Sequence, residues 1–251
     1  MKANTFSICA VDPDRRMAGV AVASRALAVG AMVPWAEPGV GAVATQAMVN
    51  TEYGPAALAL LRKGVPAAEV VERLVGADLV ATDDDPAQRR TFEGGGMTDE
   101  GVDFVRDAGG RLVWFAGRMR QLAVVDREGR AAVHTGERTQ PWAGGLTGDG
   151  FSCQGNLLAG AAVVEAMAEA FQRERRNAPT LVGPLAAALT AGDNAGGDRR
   201  GKQAAAILVV RERGHWSGSD RWCDLRVDDH DDPVGELRRI LDKVGFMRAE
   251  V

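Results

Sequence analysis

The stretch Gly196 to Gln203, GGDRRGKQ, runs G-x-x-x-x-G-K-Q and nearly spells a phosphate-binding loop. Such a loop uses backbone amides, a lysine and a Mg2+-binding hydroxyl to hold a nucleotide. The hydroxyl is missing here, because Gln203 stands where Ser or Thr would ligate the metal. The loop must also leave a strand and open a helix, whose N-terminus faces the phosphates. Before Gly196 the chain reads as helix, and after Gln203 the run AAAILVV reads as strand. The stretch is therefore read as a loop with another task. A second cluster, Asp228-Asp229-His230-Asp231-Asp232, offers metal-ligating types, but consecutive residues point in different directions and lack calcium-loop or zinc spacing. It reads as a solvated turn capping a helix that starts at Pro233, and no metal or other cofactor is expected. His134 and His215 stand alone, and no Ser-His-Asp order or G-x-S-x-G elbow appears.

Composition narrows the classes further. The 251 residues carry a net charge of -4, with 46% hydrophobic and 25% charged residues, as in ordinary globular proteins. That balance favours neither nucleic acid nor an anionic membrane as partner. Apolar runs are too short to span a bilayer, and MKANTFSICAVDPDRR lacks the apolar centre of a signal peptide. Three cysteines (Cys9, Cys153 and Cys223) without a C-x-x-C pair suit a reducing cytoplasm.

The elements that must carry these residues follow from periodicity. Thr5 to Ala10 and Gly19 to Ser24 form a hairpin around Asp12-Pro13-Asp14-Arg15, and Gly41 to Ala47 is a buried strand. Helical spacing follows Tyr53-Gly54-Pro55, with a stop at Gly64 and a second helix from Pro66 to Val75. Residues 76–119 are dense in turn signals, with one short strand at Leu112 to Phe115. Gln121 to Val125 and Ala131 to His134 form a hairpin around Asp126 to Gly129, and Phe151 to Gln154 is a further strand. Helices at Leu157 to Arg175 and Pro179 to Ala191 precede strands at Ala204 to Val210 and Leu225 to Val227, then a helix from Pro233. Hairpins clustered between paired helices predict antiparallel sheets under helical layers, an α+β fold.

Thr5 opens the first strand, and a Thr there, followed by a turn and G-V-A-V-A-S-R, resembles the layout of N-terminal-nucleophile (Ntn) hydrolases. In that superfamily the first residue supplies both nucleophile and base, because its α-amine titrates near 7.7–8 and accepts the hydroxyl proton through a water. More specifically, the chain resembles the bacterial domain-of-unknown-function family 1028. The matching segments are T-F-S-I at Thr5 to Ile8, G-V-A-V-A-S-R at Gly19 to Arg25, and A-V-G-x-x-V-P-W at Ala28 to Trp35. They continue with G-V-G-A-V-A-T-Q-A at Gly39 to Ala47, N-T-x-Y-G-P at Asn50 to Pro55, W-A-G at Trp142 to Gly144, and Q-G-N-x-L-A-G at Gln154 to Gly160. GGDRRGKQ and D-L-R-V-D-D-H-x-D-P at Asp224 to Pro233 complete the set. Only about residues 91–117 fall outside it, so a single Ntn-hydrolase-like domain with an insertion there is expected. The implied fold is the four-layer αββα sandwich of two antiparallel sheets.

The resemblance implies an amidohydrolase in which Thr5, released by cleavage of Asn4-Thr5, attacks a C–N bond of a small anionic substrate. Ser24 and Asp198 would orient its hydroxyl and amine, while Arg25, Arg199, Arg200 or Lys202 would bind substrate carboxylate, arginine best through its planar fork. Gln46, Asn50, Tyr53, Gln154 and Asn156 complete the expected substrate-binding set, although Asn156 also reads as an N-cap for the helix from Leu157. The alternative is a non-catalytic ligand-binding or assembly module that keeps the sandwich, with residues 91–117 as an oligomer contact. A cytoplasmic homo-oligomer is expected under either reading.

Overall fold

The structure, a computed structural model, describes residues 5–81, 104–106, 109, 112–197 and 201–246. The alternation of T-F-S-I-C-A-V-D over β1 (Thr5–Asp12) sends Phe6, Ile8 and Ala10 to one face and Thr5, Ser7, Cys9 and Val11 to the other. β1 pairs antiparallel with β2 (Met17–Ser24) in a register that sets Thr5 opposite Ser24. On its other side it pairs with β11 (Phe151–Asn156), where Thr5 faces Asn156. β10 (Gly144–Gly148), β12 (Ala204–Val210) and β13 (Arg221–Val227) complete a six-stranded antiparallel sheet in the order β10-β11-β1-β2-β12-β13. The second sheet has the order β3-β4-β8-β9, from β3 (Pro34–Glu37), β4 (Gly41–Ala47), β8 (Arg120–Asp126) and β9 (Ala131–Thr135).

Three apolar layers hold this α+β sandwich together. Phe6, Ile8, Phe151 and Ile207 pack under α3 (Ala162–Arg175), α4 (Val182–Asn194) and α5 (Pro233–Lys243) through Met167, Phe171, Leu185 and Leu237. Val11, Val20, Val22, Ala42, Val125 and Leu208 fill the space between the sheets. Val43, Leu122 and Val124 pack under α1 (Tyr53–Arg62) and α2 (Ala67–Gly76) through Leu58, Leu61 and Val70. A small third sheet, β5-β7-β6, joins β5 (Leu79–Ala81), β7 (Leu112–Phe115) and β6 (Phe104–Arg106). No helix among the described residues is long and apolar enough to cross a membrane.

Several sequence-derived boundaries shift. The helix expected from Leu157 starts at Ala162, because β11 runs on through Asn156 and Leu157 takes a left-handed φ of 56° that no α-helix continues. Asn156 is accordingly a strand residue and not an N-cap. The next helix starts at Val182, where Thr180 Oγ1 accepts the Val182 N–H at 3.3 Å. β3, β5, β6 and β10 were not expected. The last of these, GGLTG, offers little of the β-branched or aromatic signal that marks strands.

Candidate functional site

The face of β1 that carries Thr5 and Ser7 looks into the space between the sheets, where one end is polar and the other apolar. Thr5 is 2% exposed, and its Oγ1 lies 3.1 Å from Ser24 Oγ across the hairpin. Ser24 Oγ also accepts the Ala26 N–H at 3.0 Å, so the chain turns sharply just beyond the pair. A β-branched side chain locked into a strand has little χ1 freedom, so the Thr5 hydroxyl is fixed in direction as well as place.

Beside this pair runs a buried chain of neutral polar side chains. Gln154 Nε2 donates to Ser7 Oγ at 2.7 Å, and Ser7 Oγ donates to Gln46 Oε1 at 2.6 Å. Gln46 Nε2 donates to Gln121 Oε1 at 2.7 Å, which also accepts Asn156 Nδ2 at 3.1 Å. Gln121 Nε2 then faces Thr135 Oγ1 and the Gly155 carbonyl, both at 2.9 Å, and the Gly144 carbonyl at 3.2 Å. Gln121, on the second sheet, thus grips β10 and β11 of the first at the end where Thr5 lies. Ser7 and Gln121 are the residues the sequence reading missed. Their signal was a polar residue on the inward phase of an otherwise apolar strand, which demands a buried partner. Gln154 Oε1 is buried without a hydrogen-bond partner among the described residues.

None of these side chains titrates near neutrality, so the chain orients groups but offers no general base. The thiols do not substitute for one. Burial pushes Cys9 and Cys223 up to about 12 and Cys153 well above its ordinary value, which keeps all three protonated and poorly nucleophilic. Among the described residues no group of three or more His, Cys, Asp or Glu side chains is placed to hold a metal ion.

The expected site residues fall into four groups. Thr5, Ser24, Gln46, Gln154 and Asn156 come together at the polar end of the inter-sheet layer. Asn50 and Tyr53 belong elsewhere. Asn50 Oδ1 accepts the Glu52 N–H at 3.1 Å in a turn that opens α1. Tyr53 lies in the layer between the second sheet and its helices. Its hydroxyl donates to Asp78 Oδ2 at 2.8 Å, and Arg120 Nε reaches the same oxygen at 2.7 Å. Burial first, then the Asp78 carboxylate, push the Tyr53 phenol far above its ordinary range. Arg120 also donates to the Met48 and Val49 carbonyls at 2.6 and 3.1 Å, so the cluster fastens the loop after β4. Arg25 is exposed and follows Ser24 directly. Asp198, Arg199 and Arg200 lie outside the described residues.

The described ends of GGDRRGKQ reach Phe6 on β1 and Ser24 on β2. An α-helix (α4) precedes it and a strand (β12) follows, the reverse of a phosphate loop. Gly197, at φ 43°, is so placed that an added Cβ would meet the Phe6 ring at 3.2 Å, next to Thr5. The Gln203 N–H donates to the Ser24 carbonyl at 2.8 Å. Gly201 has φ 90° in open space, so there the backbone conformation and not crowding calls for glycine. Lys202, expected as an anion ligand, is instead committed to the carboxylates of Asp193 and Asp232.

Known proteins place the chain in the same company. The sequence pattern described as a family of unknown function, DUF1028, matches residues 5–91 and 115–237 and leaves the segment between them unmatched. No curated protein matches the chain. A crystal structure of a protein of that family from Silicibacter pomeroyi is 30% identical, with a TM-score of 0.71 over 96% of this chain and 86% of that one. With a pattern that spans most of its length and a solved structure of like fold beside it, the chain belongs to the DUF1028 family.

Proposed function

We propose that this chain is an Ntn-type amidohydrolase whose nucleophile is Thr5, acting on an amide or ureido C–N bond of a small anionic substrate once residues 1–4 are removed. The observation that carries the reading is the Thr5–Ser24 contact of 3.1 Å at the head of the central strand, among buried neutral hydrogen-bonding groups. Among the described residues around Thr5 no side chain is a base, and a freed α-amine on Thr5 provides one that titrates near 7.7–8. The amine takes the Oγ1 proton through a water as Oγ1 bonds to the substrate carbonyl carbon. The C–N bond then breaks, the proton passes to the leaving nitrogen, and a water hydrolyses the Thr5 ester to return the hydroxyl.

In this scheme Ser24 holds Oγ1 in line. Asn156, which lies opposite Thr5 in the strand register and gives an N–H to Gln121, would meet the substrate carbonyl or the amine. Gln46 and Gln154 hold the wall behind them. Arg25, with Arg199 and Arg200 outside the described residues, supplies charge for a substrate carboxylate at the rim, and Asp198 the counter-charge for the amine. The competing reading, a non-catalytic module that keeps the sandwich, is favoured by the burial of Thr5 at 2% exposure.

A chain released at Thr5, treated with a small β-lactone, separates the two. Oγ1 opens the lactone and keeps its whole mass as one ester. The expected result is a single adduct, mapped by peptide mass spectrometry to Thr5 and lost in Thr5→Ala. Equal labelling of Thr5→Ala, or no adduct on Thr5, would overturn the mechanism.

A further inference from the structure

Two features of the sequence remain outside that chemistry: the end of GGDRRGKQ and the acidic run Asp228 to Asp232. The structure joins them. Lys202 Nζ contacts the Asp193 carboxylate at the end of α4 and Asp232 Oδ1 at 3.0 Å, and Asp232 is itself the N-cap of α5, accepting the Gly235 N–H at 3.3 Å. One residue on, Gln203 Nε2 donates to Asp229 Oδ1 at 2.8 Å and the Gln203 carbonyl accepts the His230 N–H at 2.9 Å. The Gln203 N–H meanwhile holds the Ser24 carbonyl, and the Asp228 carbonyl accepts the Ala28 N–H at 3.0 Å. The acidic turn therefore braces both segments that border Ser24: the 24–28 turn after β2 and the 201–203 segment before β12.

From this geometry we infer that Lys202 is a positioning residue, whose ion pairs to Asp193 and Asp232 fix the 201–203 segment against the acidic turn and thereby set Ser24 beside Thr5. The role in chemistry rests on the Thr5 reading; the mechanical link does not. Lys202 is 20% exposed, between carboxylates 21% and 61% exposed, so water screens one pair more than the other. Burial opposes its charge, but the bonds to Asp193 and Asp232 outweigh that and hold the ammonium above its ordinary range. The pairs join three separate elements, the tip of α4, the start of α5 and the entry to β12, so they act as a tie and not as a local turn contact.

The test uses the chain released at Thr5, with Lys202→Met and Lys202→Arg beside wild type. Hydrogen exchange is read at the Gln203, His230 and Ala28 amides, with β-lactone acylation of Thr5 as a second readout. Lys202→Met should speed exchange at these three amides by about tenfold or more, as fits the loss of charge-assisted bonds. β4 and β8 amides should be unchanged, and Lys202→Arg should restore protection. Acylation should slow in Lys202→Met and recover in Lys202→Arg. Faster exchange without any acylation in wild type would leave the tie standing and remove the Thr5 mechanism. Unchanged exchange in Lys202→Met, or a loss that Lys202→Arg does not repair, would overturn the inference.

Discussion

The space between the two sheets has two ends built on the same strands, and they are held by different physics. At one end Val11, Val20, Val125 and Leu208 interlock, each stabilising by about 1.5–3 kcal/mol through apolar area removed from water. At the other, Thr5, Ser7, Ser24, Gln46, Gln121, Gln154 and Asn156 meet by directional bonds of 2.6 to 3.2 Å. A hydrogen bond adds about 1 kcal/mol net, whereas a buried group that loses its partner costs roughly 1–3 kcal/mol. The apolar end therefore supplies stability and tolerates small changes of shape. The polar end supplies orientation and is brittle, since each member depends on the next. A fold gains no stability from such an end over an apolar one, which is itself an argument that it serves a site.

This contrast can be broken most severely from the apolar end. Val20→Asp would bury an unpaired carboxylate at a position with no exposure, and a loss of about 3–5 kcal/mol or more is expected, seen as loss of soluble, cooperatively unfolding protein. Folding with near-wild-type stability would mean that water reaches that end. Gln121→Leu should cost about 2–4 kcal/mol in urea unfolding, because it strands Gln46 and Asn156 together with the Gly155 carbonyl. Adding Gln46→Leu should then cost much less than Gln46→Leu alone, as neighbours in one network are not additive. Additive losses would contradict a connected chain.

Tyr53→Phe probes a buried polar cluster away from the site. It should cost about 1–2 kcal/mol through the bond to Asp78 and leave Thr5 acylation unchanged, and a fall in acylation would place Tyr53 in the site after all. The smallest effect is at the solvated margin. The bond to Lys202 holds the Asp232 carboxyl below its ordinary value of 3.8. Its stabilisation is thus present above that value and is lost as pH falls through the lowered one. Exposed as it is, Asp232→Asn should remove less than about 1 kcal/mol at neutral pH and flatten the acid limb of the stability curve, a limb that would stay unchanged if the pair were idle.

How much of this the sequence disclosed follows the same division. The β1–β2 hairpin, β4, the β8–β9 hairpin, β12 and the paired helices were legible because their hydrophobic period is local. Thr5 and Ser24 could be set opposite each other from the length of one hairpin. The polar end could not be assembled that way: Gln46, Gln121 and Asn156 come from three strands in two sheets, and only register brings their amides within 3.1 Å. Tyr53 and Asn50 looked functional because they follow a core strand closely, yet their partners, Asp78 and the Glu52 amide, make them supports of α1 and its loop. The end of GGDRRGKQ misled for a related reason, since the carboxylates that claim Lys202 lie 9 positions before it and well beyond it in the chain.

The central claim is that the polar end exists to present Thr5 as an N-terminal nucleophile, and intact-mass analysis of the purified full-length chain tests it most directly. The account predicts loss of Met-Lys-Ala-Asn, leaving a chain that begins at Thr5, with the loss abolished in Thr5→Ala and retained in Thr5→Ser. A full-length chain that keeps Met1 and remains stable on prolonged incubation would contradict it.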